Sequence, residues 1–170
     1  MKLASGTMIA IRISKILLVF SAALFAGLVG TNNILDYQIN FASVQHVLMM
    51  DFVYPDNNSM WRVVESTWLH HLAYWLIILT ELVIAVLGFW GAFELWQVRH
   101  DAVAFNRQKV KPVCALTLGV LLWFTGFMVI AGEWFLMWQS KEWNAQQAAF
   151  RFTAMFLLIL VFLVQKDQDD

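Results

Sequence analysis

Four long apolar stretches constrain this chain more than any other feature. They cover residues 11–30, 72–96, 113–138 and 148–164. About 20 mostly apolar residues are needed to cross the hydrocarbon core of a bilayer. Each stretch must be helical, because no water is available there to satisfy backbone polar groups. The sequence therefore predicts an all-α membrane protein whose four transmembrane helices form a bundle.

The composition also indicates that lipid is the solvent. Hydrophobic residues make up 61% of the 170 residues and charged residues 14%, against roughly 45–50% and 25% in soluble domains. A chain of this length predicts one domain, here a single membrane domain over residues 1–170. The net charge of −1 and the lack of a strongly basic stretch argue against a nucleic-acid partner. The lipid bilayer is the expected partner.

Lysine and arginine residues in short loops predict the orientation, because they stay on the cytoplasmic side. Eight of them lie at the start of the first span or before it, between the second and third spans, or after the fourth. The opposite side of the membrane has only Arg62, Lys141 and Arg151. Both termini are therefore predicted to be cytoplasmic. A cleaved signal peptide is the alternative for the first span, but the residues from Ala26 to Gly30 are a poor cleavage site.

The predicted outer loop, residues 31–71, would lie in the periplasm of a bacterium. It carries apolar residues near helical spacing, namely Phe41, Val44, Leu48 and Phe52. This spacing predicts a short amphipathic helix near residues 41–50 at the membrane surface. Residues 54–58 predict a turn, and a second short helix is expected from Ser59. The acidic residues after the fourth span predict a solvated end: Asp167, Asp169 and Asp170.

Small and polar residues share one face of each span. On the first span they are Ala22, Ala26 and Gly30. On the second they are His71, Tyr74, Ile78, Glu81, Ala85, Gly88 and Ala92. The third and fourth spans have Ala115, Gly119, Leu122, Gly126, Val129 and Glu133, and then Gln147, Arg151, Ala154 and Leu158. Small residues allow close helix packing in lipid, so these faces are predicted to point inward.

Arg12, Lys15 and Glu94 lie near the cytoplasmic ends of their predicted spans, and three other acidic or basic residues lie within the spans: Glu81, Glu133 and Arg151. Glu133 and Arg151 occupy similar depths on consecutive helices, which predicts an ion pair. Glu81 has no basic residue at its depth, so it is expected to be a protonated acid that is hydrogen-bonded to a neighbour: Thr80, Thr125 or Tyr74. A structural role and a role in binding or proton handling both stay open, because ionisable residues within a membrane mark functional sites by default.

Catalytic and cofactor motifs are not evident. The chain has no phosphate loop, nucleotide fingerprint or nucleophile elbow. His46 and His71 are weak candidates for a metal site, but their spacing matches no ligand motif. No histidine lies deep enough in a span for a bis-histidine haem. We therefore expect no cofactor, and an enzyme is less favoured than a protein without catalysis.

Long ordered motifs run along the chain. They include Asn32-Asn33-Ile34-Leu35-Asp36-Tyr37, Val44-Gln45-His46-Val47-Leu48-Met49-Met50-Asp51, and Gly132-Glu133-Trp134-Phe135-Leu136-Met137-Trp138-Gln139-Ser140. With these motifs the chain resembles a bacterial family of predicted small integral membrane proteins of unknown function. The resemblance covers about Ile16 to Val164. It implies four spans and residence in the bacterial inner membrane, and it implies no activity.

Two functions are predicted from these observations. The first is a non-catalytic accessory or assembly subunit of a larger inner-membrane complex, with other membrane subunits as partners. The alternative is a small-molecule binding or transport protein with a polar pocket that faces the periplasm. The candidate pocket residues are Asp36, His46, Asp51, His71, Tyr74, Glu81, Glu133 and Arg151.

Overall fold

The computed structural model of the protein describes residues 2–169. In this part of the chain the regular secondary structure consists of helices, and there are no strands. The helices are α1 (Lys2–Leu35), α2 (Tyr37–Met49), α3 (Thr67–Gln97), α4 (Ala102–Arg107), α5 (Val110–Val120) and α6 (Gln146–Val164). A π-helical segment, Leu121–Trp134, continues α5. Single 3₁₀ turns lie at Met60–Arg62 and Met137–Gln139.

Four helical stretches are long and apolar enough to cross a membrane: Gly6–Leu35, Thr67–Gln97, Ala102–Trp134 and Gln146–Val164. The predicted all-α membrane fold with four spanning helices is confirmed. Successive spans run in opposite directions. One end of the molecule, the loop end, therefore holds residues 36–66 and 135–145, and the other, the tail end, holds residues 98–109 and 165–169.

The loop end differs from the prediction in where the helices begin and end. α1 continues past Gly30 to Leu35, and α2 begins after a turn at Asp36. The third span ends at Trp134 because Leu136 adopts the left-handed conformation (φ 56°, ψ 32°), which interrupts a helix. Arg62 donates to the Trp134 carbonyl at 3.1 Å, and a basic side chain suits the carbonyl end of a helix.

Close packing of α1 against α3 depends on small residues, as predicted. A Cβ added to Gly88 would lie 2.7 Å from Cβ of Ala23, and one added to Gly30 would lie 3.2 Å from Cβ of Glu81. The predicted inner face of α3 is confirmed, because its members from Tyr74 to Ala92 are buried. Such close approach is the main source of helix association in lipid, where apolar burial adds little.

The predicted inner face of the third span is correct only in its first half. Ala115 and Gly119 are buried, but Val129 and Glu133 are exposed. A π-helix closes its hydrogen bonds from residue i to i+5, as Phe135 N to Ile130 O does at 3.0 Å. A turn therefore holds more residues than the 3.6 of an α-helix. A face extrapolated at α-helical spacing consequently rotates away from the core.

The predicted inner face of α6 is wrong. Its buried residues are Ala149, Thr153, Phe156, Ile159 and Leu163, whereas Arg151 and Leu158 of the predicted face are exposed. The prediction assumed that the polar residues of this span point inward. Instead, an aromatic core decides the rotation of the helix, because Phe156 packs against Trp123 with ring centroids 4.9 Å apart.

Asp167, which follows α6, belongs to a buried charge cluster, so the predicted solvated end is wrong at this residue, whereas Asp169 is exposed. Asp167 accepts from Lys15 Nζ at 2.7 Å and from Lys109 Nζ at 2.6 Å. The side chains of Asp167, Lys15 and Lys109 are 5%, 2% and 9% exposed. Both ammonium groups also donate to the Gln165 carbonyl, at 2.8 and 2.7 Å. We call Lys15, Lys109, Gln165 and Asp167 the tail clasp. Asp170 lies outside the described residues.

Arg12 extends these contacts towards the surface. Its guanidinium donates to the carbonyls of Arg99 and Gln168, at 3.1 and 2.7 Å, and it pairs with Asp169. The Ala102 amide donates to the same carboxylate at 2.9 Å. The first span and the segment that follows the second are therefore both attached to the residues after α6.

Asp169 makes the stability of the folded protein depend on pH in the acidic range. The hydrogen bond from the Ala102 amide, followed by the one from Arg12, holds the pKa of Asp169 below its ordinary value of 3.8. A lowered pKa stabilises the fold fully above the unfolded value and loses this effect as the pH falls through the folded value. We expect Asp169→Asn to unfold at a lower temperature than wild type near neutral pH. This difference should shrink below about pH 3.8, as measured by thermal unfolding in detergent across pH. A difference that is constant with pH would contradict this account.

Candidate functional site

A polar cluster joins three helices near the middle of α3, and all its members except Asn40 are buried. Asn33 of α1 donates through Nδ2 to Oε2 of Glu81 at 2.8 Å, and Asn40 of α2 donates through Nδ2 to Oδ1 of Asn33 at 2.7 Å. The Tyr74 hydroxyl donates to the Asn33 carbonyl at 3.1 Å. We call Asn33, Asn40, Tyr74 and Glu81 the Glu81 cluster. A buried acid of this kind is costly in a membrane unless hydrogen bonds satisfy it.

Local sequence explains why these side chains meet. Asn33 follows Gly30 by three residues, so both lie on the α1 face that packs against α3. Gly30 leaves room for Glu81, since a Cβ there would be 3.2 Å from Cβ of Glu81. The Asp36 amide still donates a hydrogen bond to the Asn32 carbonyl at 2.9 Å, but Asp36 itself is not helical and separates α1 from α2. Asn40 reaches Asn33 across this break.

Aromatic rings cover the cluster on the side of the loop end. The Tyr37 hydroxyl lies 2.8 Å from Nδ1 of His71, and Phe41 stacks on the His71 ring with centroids 4.1 Å apart. Tyr37 also makes an edge contact with Tyr74 at 4.7 Å. Burial raises the pKa of Tyr37 above its ordinary value, so this phenol stays neutral and acts as a hydrogen-bonding group.

A cavity of about 230 Å³ borders the Glu81 cluster. All four members of the cluster line one side of it, and the opposite wall is apolar, with Trp123, Phe127, Ala149 and Phe152. Asn33 occupies one oxygen of Glu81, and within residues 2–169 no second side chain hydrogen-bonds this carboxyl group. The carboxyl group thus lines the cavity with one oxygen that has no hydrogen-bond partner among these residues. An apolar cavity with a few convergent polar groups is the usual form of a small-molecule site.

Comparison with known families agrees with the fold. A family model described as predicted small integral membrane protein (DUF2165) matches residues 11–166. The chain belongs to the DUF2165 family. No curated protein and no solved structure matches the sequence. The DUF2165 match includes most of the first spanning helix, the other three in full and the whole Glu81 cluster, and the family description names no activity.

The structure brings together only some of the eight candidate residues of this DUF2165 chain. Tyr74 and Glu81 line the cavity, and His71 lies behind Tyr37 in the neighbouring aromatic group. Asp36 is exposed at the turn between α1 and α2. His46 and Asp51 bond to each other at 2.7 Å near the surface. The other two candidates are Glu133 and Arg151.

Glu133 and Arg151 face different surroundings, and the predicted ion pair between them is wrong. Both are exposed, and no ion pair joins them in the part of the chain that the structure describes. Arg151 lies in a groove between α1 and α6 that is also lined by Ser21 and Phe25. The π-helical winding turns Glu133 away from α6, so equal depth did not bring the two side chains together.

The predicted partners of Glu81 are also wrong. Thr80 donates to the Leu76 carbonyl of its own helix at 2.7 Å, and Tyr74 donates to the backbone of Asn33. Thr125 makes no hydrogen bond to Glu81 among the described residues, where the partner is Asn33. Asn33 was missed because it falls in the predicted outer loop, residues 31–71. A signal was present, since Ala22, Ala26, Gly30 and Asn33 continue one helical face.

The two histidines proposed as weak metal candidates lie in separate groups. His46 stacks on Trp143 with centroids 4.5 Å apart, whereas His71 contacts Tyr37 and Phe41. Among residues 2–169, no three His, Cys, Asp or Glu side chains are close enough to hold a metal ion. The chemistry that the DUF2165 structure offers at Glu81 is therefore hydrogen bonding from one carboxyl group, two amides and a phenol.

Proposed function

We propose that this protein binds a small molecule in the cavity beside Glu81. The observation that supports the proposal is the carboxyl group itself. Glu81 is 2% exposed on a membrane helix, uses one oxygen for Asn33, and lines the cavity. Ionisable residues inside a membrane are costly and usually functional. A purely structural acid would be expected to pack against protein on all sides.

The cavity supplies two kinds of contact. Glu81 and the Asn40 side chain can hydrogen-bond a polar group of the ligand, and Trp123 and Phe152 offer apolar surfaces across from it. Hydrogen bonds are stronger in such a medium of low dielectric constant than in water. A ligand should therefore be held mainly through its polar group.

The proposed setting is the inner membrane of a bacterium, with both termini in the cytoplasm. The distribution of lysine and arginine residues supports this orientation, since eight of the eleven lie on α1, in residues 98–111 or after α6. In this setting the loop end faces the periplasm. The cavity lies between α2 of the loop end and the middle of α3, and a ligand would enter from the periplasmic side or from the outer leaflet.

The test is retention of a small molecule during purification. Wild type, Glu81→Gln and Glu94→Gln would be purified in nanodiscs and their bound small molecules identified by mass spectrometry. Glu94 is the matched control, because it lies on the same helix but pairs with Lys111 at the tail end. A hydrogen bond to a charged group contributes about 1.5–3 kcal/mol, so Glu81→Gln should reduce occupancy about tenfold or more.

Two outcomes would contradict the proposal. In the first, wild type retains no small molecule and takes up none from a membrane extract. In the second, Glu81→Gln retains as much ligand as Glu94→Gln does. Circular dichroism and thermal unfolding of both variants would show whether an occupancy change reflects the site or a loss of fold.

An accessory or assembly subunit of a larger membrane complex is the other function predicted from the sequence. Its support is the small size of the chain and the apolar surface of α3, where Trp75, Trp90 and Phe93 are exposed. Such a surface suits lipid as well as another subunit. The same purification separates the two proposals, because a membrane protein that co-purifies in fixed ratio, also with Glu81→Gln, would favour the accessory role.

A further inference from the structure

A second cavity, of about 270 Å³, adjoins the cavity at the Glu81 cluster. The two have common lining residues, which are Ser43, Val44, Ile77, Phe127 and Ala145. The second cavity extends from these residues between α2, α3 and the π-helical segment. It is lined almost wholly by apolar atoms, including those of Leu76, Leu122 and Ile130. The molecule thus contains one polar compartment and one apolar compartment side by side.

Gly126 shows that the apolar compartment is open space beside the helix and not a narrow packing gap. A Cβ added at Gly126 would find its nearest heavy atom, Cδ1 of Leu122, 3.9 Å away. Gly119, which lies earlier in the same span on α5, is in tight contact by comparison, since a Cβ there would lie 2.2 Å from the ring of Phe156. π-helical turns occur often at functional sites, and here the π-helical segment forms one wall of the cavity.

We propose that the ligand is a single-chain amphiphile with a hydrogen-bond-donating head, an alcohol or an amine. The head bonds the available oxygen of Glu81, and the hydrocarbon chain lies in the apolar compartment along the π-helical segment. This inference rests on the proposed function and names the class of molecule that would use the site.

The two compartments together determine this class. We take Glu81 as ionised in the complex, in contrast to the protonated acid expected from the sequence, because Asn33 donates to Oε2 and a donated hydrogen bond favours the ionised form. A carboxylate oxygen accepts hydrogen bonds and repels other carboxylates, so the head must be a donor without negative charge. The volumes of about 230 and 270 Å³ overlap at their common walls, which places the whole site near the lower part of the usual range of about 300–1,000 Å³. One chain fits this space, whereas a lipid with two acyl chains and a phosphate head does not.

The head and the chain of the ligand contribute differently to binding, because the surrounding solvent is lipid. Lipid tails are as apolar as the cavity wall, so moving a hydrocarbon chain from the bilayer into the protein yields little free energy. The head must therefore supply the affinity, and the shape of the apolar compartment must supply the limit on chain length. Head and chain can consequently be tested separately.

The experiment uses the full chain in phosphatidylcholine nanodiscs and native mass spectrometry. The probes are dodecylamine, dodecanol and dodecanoate at equal mole fraction in the membrane, with hexylamine as a short probe. We expect dodecylamine and dodecanol to bind one per protein, and dodecanoate to bind at least tenfold less. Glu81→Gln should reduce amine binding about tenfold, and Glu94→Gln should leave it unchanged.

Gly126→Leu tests the chain compartment. The leucine side chain would fill the space along the π-helical segment, so dodecylamine binding should fall at least tenfold while hexylamine binding is kept. Retained hexylamine binding also shows that the variant is folded. If Gly126→Leu loses both probes, Gly126→Ala is used, because its Cβ fits without a clash and should lower dodecylamine binding less than Gly126→Leu.

The outcomes distinguish failure of the amphiphile proposal from failure of the proposed function. If a natural ligand is retained through Glu81 but neither dodecylamine nor dodecanol binds, the proposal of an amphiphile is wrong and the proposed binding site stands. A bound two-chain lipid, equal binding of dodecanoate, or unchanged dodecylamine binding in Gly126→Leu would overturn the amphiphile proposal as well. Absence of any ligand, natural or added, would overturn the proposed function itself.

Discussion

Asp167→Asn is expected to destabilise the protein by about 3–5 kcal/mol, the usual cost of stranding a buried charge. Asp167 is the carboxylate that Lys15 and Lys109 share, and all three side chains are less than a tenth exposed. Without it, two ammonium groups of like charge would lie together in the protein with only carbonyl and amide oxygens as partners. The measurement is thermal or denaturant unfolding of the purified protein in detergent.

Variants that change the number of lysines and aspartates in the tail clasp serve as controls for Asp167→Asn. Lys15→Met should cost less than Asp167→Asn, because it leaves one lysine and one aspartate as a pair. The double variant Lys15→Met with Asp167→Asn should be more stable than Asp167→Asn alone, since only Lys109 then lacks a carboxylate, and Asn106 Oδ1 still accepts from it at 2.8 Å. Equal stability of Asp167→Asn and wild type would show that the clasp contributes nothing.

Gly91→Ala is expected to cost about 1–3 kcal/mol or more, the range found when a close-packed core receives an extra group. The added Cβ would lie 2.4 Å from both Cδ and Cγ of Pro112 and 2.9 Å from its nitrogen. The proline ring is part of the backbone in the first turn of α5, so it cannot rotate away as an ordinary side chain would. α3 and α5 would have to separate.

Gly126→Ala is the matched control for Gly91→Ala. Both replace a glycine by alanine inside a spanning helix, and alanine is the better helix former at either site. The Cβ at Gly126 meets its nearest atom at an ordinary 3.9 Å. Gly126→Ala should therefore match or exceed wild type in unfolding temperature, and Gly91→Ala should fall well below it. Similar values for the two variants would contradict the packing argument.

The spanning helices were predictable because the bilayer imposes a length and a polarity on them. The inner face of α3 was predictable for a related reason, since Gly88 and its neighbours are the small residues on which close packing depends. The faces of the third and fourth spans were not. A π-helical segment changes the number of residues per turn in the third span, and packing against an aromatic core sets the rotation of α6. Neither effect can be recognised from the spacing of residues in the sequence.

The candidate site was predictable in part. Glu81 and Tyr74 stand out as polar residues on an inward face, and the structure places both at the cavity. Their partners Asn33 and Asn40 do not stand out, because asparagine next to a span resembles the start of a loop. Asp36, His46 and Asp51 were grouped with them because they lie on the same side of the membrane by prediction, and a common side does not mean a common pocket.

The tail clasp escaped prediction because Lys15 and Lys109 already had an explanation as cytoplasmic flanking residues. Acidic residues after the last span suit water equally well. Only three-dimensional packing shows that these basic groups are buried, and once they are buried they need a carboxylate. The same residues that predict orientation thus also hold the bundle together at its tail end.

The tail clasp has a consequence for the order in which this protein is made. Lys15 leaves the ribosome 152 residues before Asp167 does, and α3, α5 and α6 are all synthesised in between. During that time the basic groups of the first span lack the carboxylates that pair with them in the finished fold. The nascent bundle therefore cannot close at this end until the last span has been delivered to the membrane, and newly made helices must remain hydrated there, or be held by the insertion machinery, until then.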